Sequence, residues 1–259
     1  MNHFEPTFSI ITIVFNGVSL LEGTVESVLN QTYKNIEYII VDGGSKDGTV
    51  EMAQKYAAQF PQIKLISERD KGIYDGMNKG LKLATGDFVL FLNCGDHLFE
   101  PSTMEKIAAQ TTPKTDVLYG ETMLVDDVRT HVGTRSEMTV QKLPEKLNWQ
   151  SMQLGMVVCH QSFLARRTKT PQYIEGNLAA DVDWVIKCLQ NADIVVNTHC
   201  IISEYLMDGT SKKQHRQSLK DRFEVLKNHF GTVQNVLNHV QITVRAMIFK
   251  VLNQGKKTY

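Results

Sequence analysis

The sequence has no charge of one sign. It holds 28 lysines and arginines and 28 aspartates and glutamates, a formal net charge of zero. The balance gives no footing for a nucleic-acid binder, which would carry a basic excess. Long apolar runs are missing too, and none approaches the roughly 20 residues of a membrane-spanning helix. The first residues, MNHFEPTF, lack the basic start, apolar stretch and cleavage site of a secretory signal. Four cysteines, Cys94, Cys159, Cys188 and Cys200, form no C-x-x-C pair, and Cys159 adjoins His160 without tetrahedral ligand spacing. These absences exclude a zinc module and a disulfide scaffold and point to reduced thiols in a cytoplasmic setting. There is no internal repeat and no low-complexity segment.

What is there reads as α/β. At 259 residues the chain has ample length for a real core. Apolar, β-branched runs at 8–15, 36–41, 63–66 and 88–92 alternate with helical spacings at 20–31, 50–60 and 73–84, with Asp47 or Thr49 as the cap of the second helix. Short connections between them predict a mostly parallel sheet. Further on, 117–119, 157–158 and 194–196 read as short strands and 181–190 as a helix. From Lys212 to Lys257 the chain carries ten basic residues against Asp221 and Glu224, which leaves an acidic body and a basic, helical tail.

Ligands of open parallel sheets lie outside the carboxyl ends of the strands. That edge collects Asn16, Asp42, Glu68 with Asp70, and Asn93 with Asp96. One such ending is a turn; four in a row describe a site. The first turn, FNGVSL, has no G-x-G-x-x-G, and GGSKDGT is no P-loop. An acidic edge repels a pyrophosphate unless a divalent cation lies between them, and Mg²⁺ or Mn²⁺ takes one or two carboxylates plus phosphate oxygens and water. The chemistry asks for a metal-bridged nucleoside diphosphate.

Four stretches, SIITIVFN (9–16), YIIVDGGSKDGT (38–49), SERDKGIYDGMNKG (67–80) and FLNCGD (91–96), resemble the family 2 glycosyltransferases. They are most similar to the subgroup that builds bacterial O-antigen, capsule and exopolysaccharide, over about residues 8–211. The resemblance implies a GT-A fold, in which a Rossmann-like nucleotide-binding half (1–100) and an acceptor half (101–211) share one continuous sheet, with 212–259 as a helical tail. It implies an inverting transfer from a nucleotide-diphosphate sugar, UDP foremost, with Mn²⁺ or Mg²⁺. By the same resemblance Thr12, Phe15 and Asn16 line the nucleoside pocket, and Asp42 meets the base. Of Glu68 and Asp70 in the third loop, one or the other contacts the nucleoside or organises the loop, and Tyr74, Asp75 and Asn78 meet the donor sugar or phosphate. Asn93, Cys94 and Gly95 stand in the metal-motif turn, where the usual first and middle carboxylates are replaced and Asp96 alone remains as metal ligand. Asp181 matches the general base, with Asp183 in reserve. His160 and Gln161 match an acceptor or donor contact, and Gly209, Thr210 and Ser211 a loop near the diphosphate, with His215 a further metal ligand.

Each of these residues also has a plain reading: Asp42 and Asn16 as turn residues, Asp75 and Asn78 as caps, Cys94 as a small interior thiol, Asp181 as an N-cap. The acceptor expected from the resemblance is a glycan, polyprenyl-linked. The tail reads as a cover for the domain, a homo-oligomer contact or an anchor on an anionic inner membrane face. Two other functions remain open at this point: a nucleotidyltransferase, which wants a basic first loop that 15–19 lacks, and a non-catalytic glycan-binding scaffold, which would survive loss of Asp96 and Asp181.

Overall fold

The computed structural model describes residues 4–207 and 215–252, and its centre is a strand buried along its whole length, β1 (Phe8–Val14). Successive strand side chains point to opposite faces, so an unbroken apolar run needs cover on both. Ile11 and Ile13 enter one apolar cluster with Met77 and Trp184; Phe8, Ile10 and Val14 enter a second with Leu21, Val25 and Val28. The covering helices are α1 (Val18–Leu29) on one face and α3 (Ile73–Leu83) on the other. Between and after them run β2 (Ile36–Asp42), α2 (Thr49–Gln59), β3 (Ile63–Ser67) and β4 (Phe88–Phe91), in the alternation the sequence pattern predicts.

The second half holds β5 (His97–Leu98), α4 (Thr103–Ala109), β6 (Val117–Val125), β7 (His131–Thr134), α5 (Arg135–Met138), β8 (Phe163–Arg166), α6 (Ala180–Asn191) and β9 (Val195–Leu206). One sheet runs through both halves in the order β3-β2-β1-β4-β8-β6-β9-β5, with β7 on β6. The pairs β1–β2, β2–β3, β1–β4 and β6–β9 are parallel; β4–β8, β6–β8, β6–β7 and β5–β9 are antiparallel. The first half is thus parallel, as expected, and the second mixed. The chain leaves β4 at mid-sheet, turns through residues 93–96 and pairs at once with the last long strand, while Leu98 N donates to Ser27 Oγ of α1 at 3.2 Å. The sheet curls around that turn.

Three elements differ from the sequence pattern. β6 and β9 are longer than 117–119 and 194–196, because polar residues such as Thr122 and Ser203 sit buried in them and register shifts near Gly120 break the alternation. Residues 157–158 are not a strand; they lead into a single 3-10 turn (His160–Ser162) ahead of β8.

The tail is two helices, α7 (His215–Phe230) and α8 (Thr232–Leu252). α7 is part of the body. Val225 and Leu226 join the larger core cluster, and Phe230 stacks on Trp149 at 5.4 Å between ring centres. α8 packs inside out. It buries Asn235 and Asn238 and exposes Val233, Leu237, Val240, Val244, Met247 and Val251. Asn235 Nδ2 donates to Phe223 O at 3.0 Å, and Arg245 to Val140 O at 3.2 Å. Among the described residues no helix is long and apolar enough to cross a membrane.

Candidate active site

The turn after β4 is braced from three sides. Gly95 has φ +101, a conformation costly for any residue with a Cβ. Its N–H donates to Thr24 Oγ1 at 2.9 Å, and its carbonyl accepts from Arg129 Nη2. Arg129 also lies 2.7 Å from His97 Nε2. Asp96 is 5% exposed; Gln161 Nε2 donates to its Oδ2 and Leu206 N to its Oδ1, each at 3.0 Å. Burial pushes the Asp96 carboxyl up to about 7, against the pull of those two donors and of Arg129. Beside it Asn93 Oδ1 is buried with no partner.

A cavity of about 340 Å³ opens against this turn. Asn93, Tyr74, His160, Gln161 and Asp181 line it, so β4, α3, the 160–162 turn and the start of α6 meet there. Asp181 is half-buried. Its Oδ1 accepts from Val182 N at 2.9 Å and lies 3.3 Å from the Tyr74 hydroxyl. Burial raises its pKa, countered by the Val182 amide, the Arg222 charge and the Tyr74 hydroxyl. Such a carboxylate is a stronger base than a solvated one. His160 donates to or accepts from Tyr173 OH at 2.6 Å among the rings of Phe91, Tyr173 and Trp184, and burial lowers its pKa to about 4, so it is neutral at pH 7. Gln161 works through Asp96: its amide NH₂ is given to that carboxylate and its Oε1 accepts from Cys159 Sγ at 3.1 Å.

Other expected residues take different places. Asp183 lies two positions on, 4% exposed, and faces away from the cavity toward Lys187 Nζ and His229 Nε2, both at 2.8 Å. Those partners hold its pKa below the usual range although burial alone would raise it. It ties α7 to α6 and is no reserve base. Asn78 spends both ends of its amide on the Tyr173 backbone, at 3.0 and 2.8 Å, and Asp75 accepts from Lys71 N at 2.9 Å; neither lines the cavity. Glu68 is surface-exposed and paired with Lys79 at 3.0 Å. Cys94 Sγ sits against Gly17, and burial pushes its thiol up to about 12, which suits a packing role and not a nucleophile.

At the nucleoside edge Thr12 is fully buried and bonded to Leu92 O at 2.7 Å and to Tyr38 OH, so it lines no pocket. Asp42 is also fully buried; it accepts from Gly44 N, Ser45 N and Ser67 Oγ at 2.9, 3.1 and 2.8 Å. All three bonds fall on Oδ2, which shapes the loop after β2, while Oδ1 has only Ser45 N at 3.4 Å. Asp70 is the accessible acid there. Its half-exposed carboxylate lies against the Cα of Gly43, where an added Cβ would meet Oδ2 at 2.6 Å. Asn16 (φ +50) joins the loops through Ser45 Oγ and Lys46 N, and Phe15 stands 64% exposed, an open aromatic face. Residues 209–211 and the side chain of His215 lie outside the described residues. Arg135 and Arg222, which also line the cavity, escaped the sequence reading because neither belongs to a quoted motif.

Among the described residues no cluster of three or more His, Cys, Asp or Glu could cage a metal. Asp96 itself is not among the residues lining the cavity, and each of its oxygens already accepts one bond. A carboxylate oxygen has a second lone pair, however, and with the orphaned Asn93 Oδ1 in the same turn the set still fits Mg²⁺ or Mn²⁺, ions that keep most of their shell as water and phosphate oxygen.

A model of glycosyl transferase family 2 matches residues 9–170. The PGL/p-HBAD biosynthesis glycosyltransferase of Mycobacterium bovis (strain BCG / Pasteur 1173P2) is 31% identical over 209 residues, 77% of each chain. Among solved structures, S. aureus TarS 1-349 in complex with UDP-GlcNAc aligns with a TM-score of 0.68 at 21% identity, over 85% of this chain and 64% of that one. The mannosyltransferase PcManGT of Pyrobaculum calidifontis, in complex with GDP-Man and Mn²⁺, aligns at 0.62 and 16% identity, over 85% and 64%. The architecture is the GT-A fold. The chain belongs to glycosyl transferase family 2 and is a glycosyltransferase, which sets aside the nucleotidyltransferase alternative.

Proposed function

We propose that this chain is an inverting glycosyltransferase that moves a sugar from a nucleotide-diphosphate donor, UDP-linked first, to a growing bacterial surface glycan. The observation that carries the reading is the shared cavity: Asp181 of the acceptor half and Asn93 of the metal-motif turn face the same space. Phe15 offers its exposed ring to the nucleoside base and Asp70 its carboxylate to a base N–H. Asp96 would hold Mn²⁺ or Mg²⁺, oriented by Gln161 and Leu206 N. A divalent cation there would neutralise charge on the leaving diphosphate. Asp181 takes the proton of the acceptor hydroxyl as that oxygen attacks the anomeric carbon from the face opposite the leaving group, and the Tyr74 hydroxyl orients the carboxylate. Neutral His160, fixed by Tyr173, contributes a hydrogen bond to a sugar hydroxyl without adding charge.

The names of relatives, PGL/p-HBAD biosynthesis in the mycobacterial case, support a surface-glycan acceptor, and we assign it a polyprenyl-linked form. α8 supports that choice, since its exposed apolar row and the basic tail fit the anionic inner face of a membrane. The deciding experiment is calorimetry with UDP-, GDP- and dTDP-sugars, with and without Mn²⁺. One donor binds in the presence of Mn²⁺, binding weakens at least tenfold in EDTA, and nucleoside diphosphate is released on addition of acceptor. Absence of binding by every donor in Mn²⁺ would overturn the reading.

A further inference from the structure

Two cations of the cavity have no part in the scheme above. Arg135 opens α5, and Arg222 lies in the middle of α7, 87 positions later in the chain; both line the cavity beside Asp181. Arg135 gives one Nη2–H to Met156 O at 2.5 Å. Arg222 has a buried Nε without any partner among the described residues. That N–H is left to bond a ligand, and the charge of the group is felt at Asp181. Leaving a buried guanidinium N–H unpaired is costly, and a planar fork is suited to the two oxygens of a phosphate or carboxylate.

The lining holds two guanidinium groups against one carboxylate, Asp181, since His160 is neutral. A neutral acceptor has no use for that excess. Both residues come from the second half or α7, and of the positions expected to bind the donor only Asn93 and Tyr74 reach the cavity, while Asp42 and Asp70 do not. We propose that Arg135 and Arg222 form a subsite for an anionic group carried by the acceptor, the phosphate of a lipid-linked carrier or the carboxylate of an acidic sugar. This rests on the glycosyltransferase reading given above and adds the charge of the acceptor to it.

The test is binding to the full chain loaded with UDP and Mn²⁺. Four probes are titrated: methyl glucoside, methyl glucuronoside, a neutral farnesyl glucoside, and farnesyl-diphosphate-linked glucose. At least one anionic probe binds tenfold or more tighter than its neutral match, as a charge-assisted bond implies. The carboxylate and diphosphate arms tell the two sources apart. Arg222→Gln and Arg135→Gln each lower that ratio toward one without changing affinity for the neutral probe, and Arg222→Lys retains part of it. Arg135 opens a four-residue helix with no buried residue, so its variant reports even where an α7 variant folds poorly. Equal binding of charged and neutral probes, or a preference that survives both substitutions, overturns the proposal. So does a loss of UDP affinity in the variants with the anionic preference intact, which would assign the arginines to the donor diphosphate. Failure of UDP itself to bind with Mn²⁺ would strike the donor reading first, and this inference with it.

Discussion

Asp181 and Asp183 stand two residues apart on one helix, and matched substitutions of the two should fail in opposite ways. Asp183→Asn keeps the shape and removes the charge. The wild-type carboxylate holds Lys187 and His229, both at 2.8 Å, in a position 4% exposed. A hydrogen bond to a charged group contributes about 1.5–3 kcal/mol and a neutral one about 0.5–1.5, so two bonds that lose their charge cost about 2 kcal/mol. In a protein of this size that is about 4–8 °C in Tm. The deficit depends on pH with a definite sign. Asp183 is held below its ordinary pKa in the folded state, so its contribution is complete above the unfolded value of about 3.9 and is lost as pH falls through the folded value. Wild type and variant should begin to converge as pH falls below about 4 and meet only below the folded value. Asp181→Asn should do the reverse. Its folded pKa is raised by burial, so the ionised group does not stabilise the fold, and the variant melts at or above the wild-type temperature. Turnover falls about 10²- to 10⁴-fold, the usual worth of a positioned base. The assays are thermal melting from pH 3 to 8 and nucleoside diphosphate release. Asp181→Asn with more than a tenth of wild-type turnover would refute the assignment, as would an Asp183→Asn variant that melts like wild type yet is inactive.

The raised pKa of Asp181 also places the acid limb of kcat/KM. Activity requires the ionised form, so the fall on acidification begins at higher pH than for a solvated aspartate, and a limb centred near 4 would contradict it. For α8, flotation with vesicles containing anionic lipid should carry the full chain, and Val240→Glu with Met247→Glu should leave it at the bottom of the gradient. If both float alike, or if the double variant only turns a dimer into a monomer in sedimentation, the membrane role of α8 is wrong.

The nucleotide-side half was legible because its signals are local. β1 through β4 are short apolar runs with helical spacings between them, and strand, turn and helix follow from neighbours in sequence. The turn at Asn93–Asp96 was visible for the same reason: polar residues and a glycine end an apolar run. β6 and β9 were seen only in part, because their burial comes from pairing with each other across a bulge and not from their own alternation. Roles within the site were the least legible. Thr12 and Asp42 match a binding motif by position, yet packing turns both inward: the Thr12 hydroxyl donates to Leu92 O, and Asp42 gives its Oδ2 to three donors of the neighbouring loops. Gln161 matches a sugar contact and lines the cavity, and the curl of the sheet also brings it against Asp96, which no local pattern foretells.

By itself the sequence determined that this is an α/β chain whose strand edge collects carboxylates and amides, since each of those properties resides in a few adjacent residues. Only the tertiary structure decided which acids face the cavity, that two arginines distant in sequence join them, and that α7 completes the body. Direction and proximity of side chains depend on packing between segments up to about half the chain apart, and no local pattern encodes that.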